Sequence, residues 1–298
     1  VRSPEGVLDF VRSHHINDER AFYNDVYQAE RPNITKQSID IARAPWHDPW
    51  SPQNQLVWES LGDIRGKRVL LIGNGHSTKE MFLLTQHPAG LVYSDLSPHA
   101  VANIRDRFDL SEYADRIAFA AIDAHELPFP DESVDIIYGY GMVHHLPDIE
   151  RFFAEVMRVL APGGRCVFMD DAYAPLWHWA KQTVLRPLMK YSHKTTGISP
   201  EDYRFSMSGG FREKKLAELI RKQGGYPWFR RTAFLQYVWY RGSEKLLHGR
   251  ARRIATNATI SRMLHAIDNT CAHLPVLNKN LIRLVWGFNK EDIEIATG

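Results

Sequence analysis

Between residues 68 and 169 short apolar, β-branched runs alternate with longer stretches of helical periodicity, and this alternation constrains the fold more than any other feature of the chain. Strands are predicted at Arg68–Ile72, Leu91–Ser94, Ile117–Ile122, Val134–Tyr138 and Arg165–Met169. Helices are predicted near Thr78–Gln86, Pro98–Phe108 and Ile149–Leu160. Strands that alternate with helices imply crossover connections, and therefore an α/β fold with a mostly parallel sheet wrapped by helices. The last helix reads as amphipathic, with Phe152, Phe153, Val156, Val159 and Leu160 at helical spacing. Pro162-Gly163-Gly164 then ends it and permits the turn into the fifth strand.

The flanks divide the chain into three parts. Residues 1–65 read as an N-terminal helical cap, broken by the Pro/Trp-rich stretch Ala44–Pro52, and residues 66–242 as the α/β core. Within that core, residues 172–210 are irregular, aromatic and punctuated by Pro and Gly, as expected of an insertion that covers an active site. Phe211–Gln223 reads as a helix and Trp228–Tyr240 as a final pair of strands. Residues 243–298 form a C-terminal helical extension, in which Ile260, Met263, Leu264, Ile267, Cys271 and Leu274 share one helix face and Leu281–Phe288 adds a dense apolar turn. Packing of that face on the protein's own core is the first expectation; a homodimer interface and a membrane-surface helix are the alternatives.

Composition excludes several classes. At 298 residues with 44% hydrophobic and 24% charged residues, the chain can bury a full core and lies far from the composition of disorder. Its two cysteines, Cys166 and Cys271, make neither a disulfide framework nor a metal-ligand cluster, so a reducing, cytoplasmic setting is expected and no metal site. The N-terminal residues show no secretory pattern, and no stretch reaches the ~18 apolar residues of a membrane span. The net charge of +2 is unevenly placed: Arg212–Arg253 holds twelve Lys/Arg against three Asp/Glu. A solvated basic helix face accounts for this most simply, with peripheral contact to an anionic membrane or to nucleic acid as rival accounts.

Chemistry concentrates at the ends of the strands. Gly73-Asn74-Gly75-His76-Ser77 follows the first strand where the chain must turn sharply into a helix, and glycines there let the backbone approach a ligand. A G-x-G alone is a weak signal. Asp95 ends the second strand, 22 positions after Gly73, where a carboxylate can accept from both hydroxyls of a ribose, although an Asp after a strand also serves as a helix N-cap. Asp123 ends the third strand and could accept an adenine amino group, or merely stabilise a turn.

Taken together, the glycine loop, the acid after strand two, DAHELPFPDESVDIIY around strands three and four, MVHHLPD after it and LAPGG before strand five are ordered and spaced over about 100 residues as in one family. Between Gly66 and Asp171 the chain resembles the class I S-adenosylmethionine-dependent methyltransferases. The resemblance implies a Rossmann-like sheet of seven strands, with S-adenosylmethionine lying across the C-terminal strand edges and S-adenosylhomocysteine as product. It implies that Gly73, Asn74 and Gly75 hold the methionyl part, Asp95 and Leu96 the ribose, and Asp123 and Ala124 the adenine, with Gly139 and Tyr140 along the cofactor. Two departures stand out: Leu71 occupies the place of an acid that helps to hold the loop, and Ser77 the place of a third glycine. Asn74, Ser77, Tyr23 and Tyr27 are candidates to compensate.

Methyl transfer from a sulfonium is an in-line displacement, so the enzyme mainly aligns an acceptor and excludes water. His144 and His145 follow strand four at the edge where the family places its acceptor, and either could serve as general base or as a structural support for the loop. Asp171, Tyr173, Trp177, Trp179 and Tyr203 are candidates to contact the acceptor from beyond strand five and from the cover. The expected activity is transfer to an oxygen, or next a carbon or nitrogen, of a small-molecule acceptor such as a secondary metabolite. Alternatives are a protein that binds the cofactor without transferring methyl, catalysing a rearrangement or only binding, and a methyltransferase of RNA or anionic lipid. A nicotinamide oxidoreductase is disfavoured because Thr78 stands where G-x-G-x-x-G needs its third glycine.

Overall fold

The computed structural model describes residues 2–12, 16–30, 36–47, 52–180, 183, 210–236, 239 and 257–291. Its strands are β1 (Leu8–Asp9), β2 (Arg68–Ile72), β3 (Gly90–Asp95), β4 (Ile117–Ala121), β5 (Val134–Tyr140), β6 (Leu160–Asp171), β7 (Tyr226–Thr232) and β8 (Arg283–Asn289). They form one sheet in the order β1-β4-β3-β2-β5-β6-β8-β7. All pairs from β1 to β6 are parallel, whereas β8 runs antiparallel between β6 and β7. The sheet thus has the expected mostly parallel α/β form, with a two-residue edge strand, β1, added to the seven.

Helices α1 (Asn17–Glu30), α2 (Pro52–Leu61), α3 (Pro98–Arg107), α4 (Ile149–Val159), α5 (Pro175–Ala180), α6 (Glu213–Lys222), α7 (Ala258–Ala272) and α8 (Pro275–Asn278) surround the sheet. Local chemistry sets their ends. Ser97 caps α3 by accepting from Ala100 N, with Pro98 in the first turn where a missing N–H costs nothing. Asp148 caps α4 by accepting from Arg151 N. Phe152, Phe153, Val156 and Val159 of α4 are fully buried against Phe168, Trp286 and Phe288. On the other face of the sheet, Val69, Leu71, Tyr93 and Tyr138 pack with Trp46, Val57 and Leu61. Residues 69–72 are buried without alternation, as a parallel strand covered on both faces must be.

The C-terminal region differs from the sequence reading. Leu281–Phe288, expected as an apolar turn of a helical extension, forms most of β8, and Leu281, Ile282, Leu284, Val285, Trp286 and Phe288 are all buried. A strand covered on both faces presents a continuous apolar run, which periodicity cannot separate from a buried helical turn. Of the strand pair expected within Trp228–Tyr240, the first is β7, whose antiparallel partner is β8, and Tyr237 and Tyr240 lie outside the described residues. After β7, Ala233 takes a left-handed conformation and the backbone N–H groups of Phe234, Leu235 and Gln236 all donate to the buried carboxylate of Asp268 on α7. On α7 itself Ser261 and Asp268 are buried, Ile260, Leu264 and Cys271 of the apolar stripe are half-buried, and Met263, Ile267 and, just beyond the helix, Leu274 are exposed.

The Pro/Trp-rich break contributes Trp46, fully buried, whose indole N–H donates to Lys79 O at 2.7 Å beneath the helix that follows the glycine loop. That helix, expected at Thr78–Gln86, is a 3-10 helix over Lys79–Gln86. Most of the expected cover, residues 181–209, lies outside the described residues apart from Thr183, as do Tyr203 and the side chain of Trp177. Among the described residues no helix is long and apolar enough to cross a membrane.

Candidate active site

The strand order β4-β3-β2-β5 places Asp123, Asp95, the glycine loop and the His144-His145 turn in a row along the C-terminal edge of the sheet. A cavity of about 350 Å³ opens there, within the usual range of small-ligand sites. α1 covers it. Ser97 Oγ donates to Asn24 Oδ1 at 2.6 Å and Asn103 Nδ2 to the carbonyl of Tyr27 at 2.8 Å, which fixes α1 on α3.

The loop needs its glycines. Gly73 and Gly75 have φ of 60° and 57°, and a Cβ on Gly75 would lie 2.5 Å from Tyr27 Oη. With Leu71 buried in the core, the loop is held from β3 rather than by an acid on its own strand. Asp95 Oδ2 accepts from Gly75 N at 2.8 Å, and Tyr93 Oη donates to Ser77 O at 2.8 Å. Asp95 Oδ1 accepts from Ser97 N at 3.0 Å. Burial raises the Asp95 pKa in spite of these backbone N–H donors, and each oxygen keeps lone-pair capacity for a ligand hydroxyl.

Asn74, Ser77, Asp95, Leu96, Asp123, Ala124, Tyr140, Tyr23 and Tyr27 all line the cavity, as the sequence suggests. Gly139 does not: a Cβ there would meet Phe168 and the carbonyl of Ile72 at 3.0–3.1 Å, so this glycine serves packing between strands. Gly141 and Met142 take its place in the wall. Asn74 supplies a direct test of fit. Both its amide atoms are buried at the cavity wall without a hydrogen-bond partner, and a side chain that offers one acceptor and two donors suits the ammonium and carboxylate of a methionyl group. The glycine loop, Asn74 and the two carboxylates therefore fit S-adenosylmethionine.

The two histidines part company. His144 Nδ1 pairs with Asp170 Oδ1 at 2.8 Å, and Asp170, buried, also accepts from the indole of Trp286 at 3.2 Å. Burial alone would lower the His144 pKa, but the hydrogen bond and charge of Asp170 raise it overall. His145 faces the cavity. Burial, and then the neighbouring His144, push its pKa down to about 4, so its imidazole is neutral at physiological pH and able to take a proton. Its Nδ1 lies 3.4 Å from Tyr23 Oη.

The candidates beyond β6 fall elsewhere. Asp171 accepts from Arg283, and Tyr173 lies under the Arg212 guanidinium at 4.4 Å; neither lines the cavity. Trp179 is exposed on α5. Among the titratable residues of the cavity, Glu19, His76 and His125 were not expected as site residues. His125 N and Nδ1 both pair with Asp123 Oδ1, at 2.9 and 2.8 Å. Glu19 precedes Tyr23 by four and Tyr27 by eight, so helical spacing from the two tyrosines was the signal that could have found it.

Comparison with known proteins accords with this geometry. The family model described as a methyltransferase domain matches residues 70–168. A phthiotriol/phenolphthiotriol dimycocerosates methyltransferase of Mycobacterium tuberculosis is 28% identical over 232 residues, 76% of this chain and 80% of that protein. A fatty-acid O-methyltransferase of Mycolicibacterium smegmatis is 30% identical over 155 residues, 52% of this chain and 54% of that protein. In fold, a chain in the complex between the Haloferax volcanii Trm112 methyltransferase activator and a methyltransferase matches with a TM-score of 0.54 at 16% identity, covering 93% of this chain and 97% of that one. Residues 70–168 thus form a methyltransferase domain, and over most of its length the chain is similar to methyltransferases of small molecules.

Proposed function

We propose that this enzyme methylates a hydroxyl oxygen of a large, mainly apolar small molecule, with His145 as the general base. The observation that carries the reading is the neutral imidazole of His145 at the cavity wall, one residue from a histidine already committed to Asp170. S-adenosylmethionine supplies the electrophilic methyl group. With it bound, an acceptor hydroxyl displacing the sulfur at that methyl group would lose its proton to the ring of His145, which would pass it to solvent. His145 is suited to this by its place at the cavity wall, with Tyr23 Oη 3.4 Å from Nδ1 to orient the ring. Desolvation keeps it unprotonated and also lowers its basicity, so it receives the proton as the oxygen–methyl bond forms and not before. The His144–Asp170–Trp286 chain fixes the turn from behind.

The names of the two relatives support the acceptor class: one acts on phthiotriol and phenolphthiotriol dimycocerosates, the other is a fatty-acid O-methyltransferase. Met142, Leu146 and Tyr140 give the cavity an apolar wall beside His145 that suits such acceptors. The test is incubation of the protein with S-adenosylmethionine and long-chain alcohols, phenols and fatty acids. Formation of S-adenosylhomocysteine together with a methyl ether supports the reading. Turnover of fatty acids alone would remove the need for a base, and cofactor binding without product from any acceptor would favour a non-transferring protein.

A further inference from the structure

Glu19 poses a problem that the activity described so far leaves unsolved. It is a buried side chain on α1, 8% exposed, at the cavity wall with Ile16, Tyr23 and Tyr27 of the same helix face. It faces Asp95 at the end of β3 and Asp123 and His125 beyond β4, with His76 of the glycine loop and His145 after β5 also on the wall. No side chain among the described residues hydrogen-bonds its carboxylate. Placing a third carboxylate next to two others, partly desolvated and without a protein donor, disfavours its ionised form in the protein alone. Residues that break a local rule in this way find their compensation at a ligand.

Adenosine carries the missing donors: two ribose hydroxyls and an amino group. Asp95 accepts one backbone N–H on each oxygen and keeps a lone pair on each for a hydroxyl, and Glu19, near Asp95 on the same cavity wall, presents a second carboxylate to a ribose held there. We infer that Glu19 is a further cofactor-binding residue, and that its carboxylate accepts a hydrogen bond from a ribose hydroxyl of the adenosine, fastening α1 over the site. This rests on the cofactor assignment and adds to it a contact from outside the sheet edge.

A proton signature follows. Burial pushes the Glu19 pKa up to about 7, with His125 lowering it and Asp123 and Asp95 raising it. A hydroxyl donor favours the ionised carboxylate, so binding lowers that pKa and releases a proton from the fraction of molecules in which Glu19 was protonated. At pH 7 that fraction is about half, and affinity should fall about tenfold between pH 8 and pH 6.

Calorimetric titration with S-adenosylhomocysteine, in buffers of different ionisation enthalpy from pH 5.5 to 8.5, reads both quantities on wild type and Glu19→Gln. Release of about half a proton at pH 7 by wild type and of none by Glu19→Gln is the expected result. The 2′-deoxy and 3′-deoxy analogues locate the contact: with the hydroxyl removed, wild type and Glu19→Gln should bind alike. Thermal unfolding of the ligand-free proteins covers a merely structural role, since removing an uncompensated carboxylate should leave the melting temperature unchanged or raised. The inference is overturned if Glu19→Gln keeps the proton release, if it weakens the parent and both analogues equally, or if it unfolds at a lower temperature without ligand. Wild type that binds without proton release overturns it and leaves the cofactor assignment standing; wild type that does not bind overturns both.

Discussion

At one end of the cavity Asp95, Asp123 and Glu19 bring three carboxylates together, and at the other, from Tyr140 to Leu146, the lining side chains carry no carboxylate and the one titratable imidazole is neutral. Both ends are desolvated, yet burial acts differently on them. Among the carboxylates it raises the pKa of Glu19 and of Asp95, and Asp95 offsets part of this with backbone N–H donors. At the His145 end it lowers the pKa and produces a base that stays free to work. The same physical cause thus yields a binding end that is rich in acceptors and a transfer end that can receive a proton.

The largest expected effect breaks the junction between the two ends. Gly75→Ala forces a Cβ into the left-handed region and against Tyr27 Oη, with a strain of roughly 1–2 kcal/mol before any displacement of α1. Cofactor affinity should fall by about 100-fold, measured calorimetrically, with the melting temperature of the ligand-free protein as the control for folding. The next effect separates the ends. His145→Gln should lower kcat about 10²- to 10⁴-fold with cofactor affinity changed less than about threefold. Wild-type kcat/KM should lose activity on the acid side as pH falls through about 4, not through the ordinary imidazole range. Equal losses in cofactor affinity and kcat for His145→Gln would erase the distinction between the ends.

Legibility follows the same division. The carboxylate end was readable because its residues follow strands, where the chain position of Asp95 and Asp123 already places them on one edge. Glu19 was legible only through its helical spacing from Tyr23 and Tyr27, since an acidic residue in the first turn of a helix is ordinary and the packing of α1 on α3 is what turns that face inward. His144 and His145 were visible as a pair, but their different roles depend on Asp170, 26 residues away in sequence from His144. In the sheet, β2 to β6 were recognisable from their alternation with helices. β8 was not, because its partner strands precede it by 51 and 112 residues or more and its apolar run lacks a strand's alternation.

The support behind His145 makes a pH prediction of stability. A group whose pKa is raised by folding stabilises the native state most below its unfolded value and loses that contribution as pH rises through the folded value. His144 is such a group, so its pair with Asp170 should stabilise the protein more at pH 5.5 than at pH 8.5. His144→Gln should remove that difference, on the order of 1 kcal/mol, seen as a flatter dependence of melting temperature on pH. Its kcat should fall less than that of His145→Gln, because the base itself remains.

The smallest effect concerns the residues that the sequence places near the acceptor and the structure does not. Asp171 is more than half exposed in its side chain and paired with Arg283 at the strand margin, away from the cavity wall. Exposed pairs of this kind contribute about 0–1 kcal/mol, so Asp171→Asn should change the melting temperature by no more than a few degrees. With no contact to the cavity, kcat and the KM for either substrate should stay within about twofold of wild type. A large rise in acceptor KM alone would mean that the acceptor extends past β6 to Arg283, and the neutral, apolar transfer end would then have a charged outer margin that takes part in recognition.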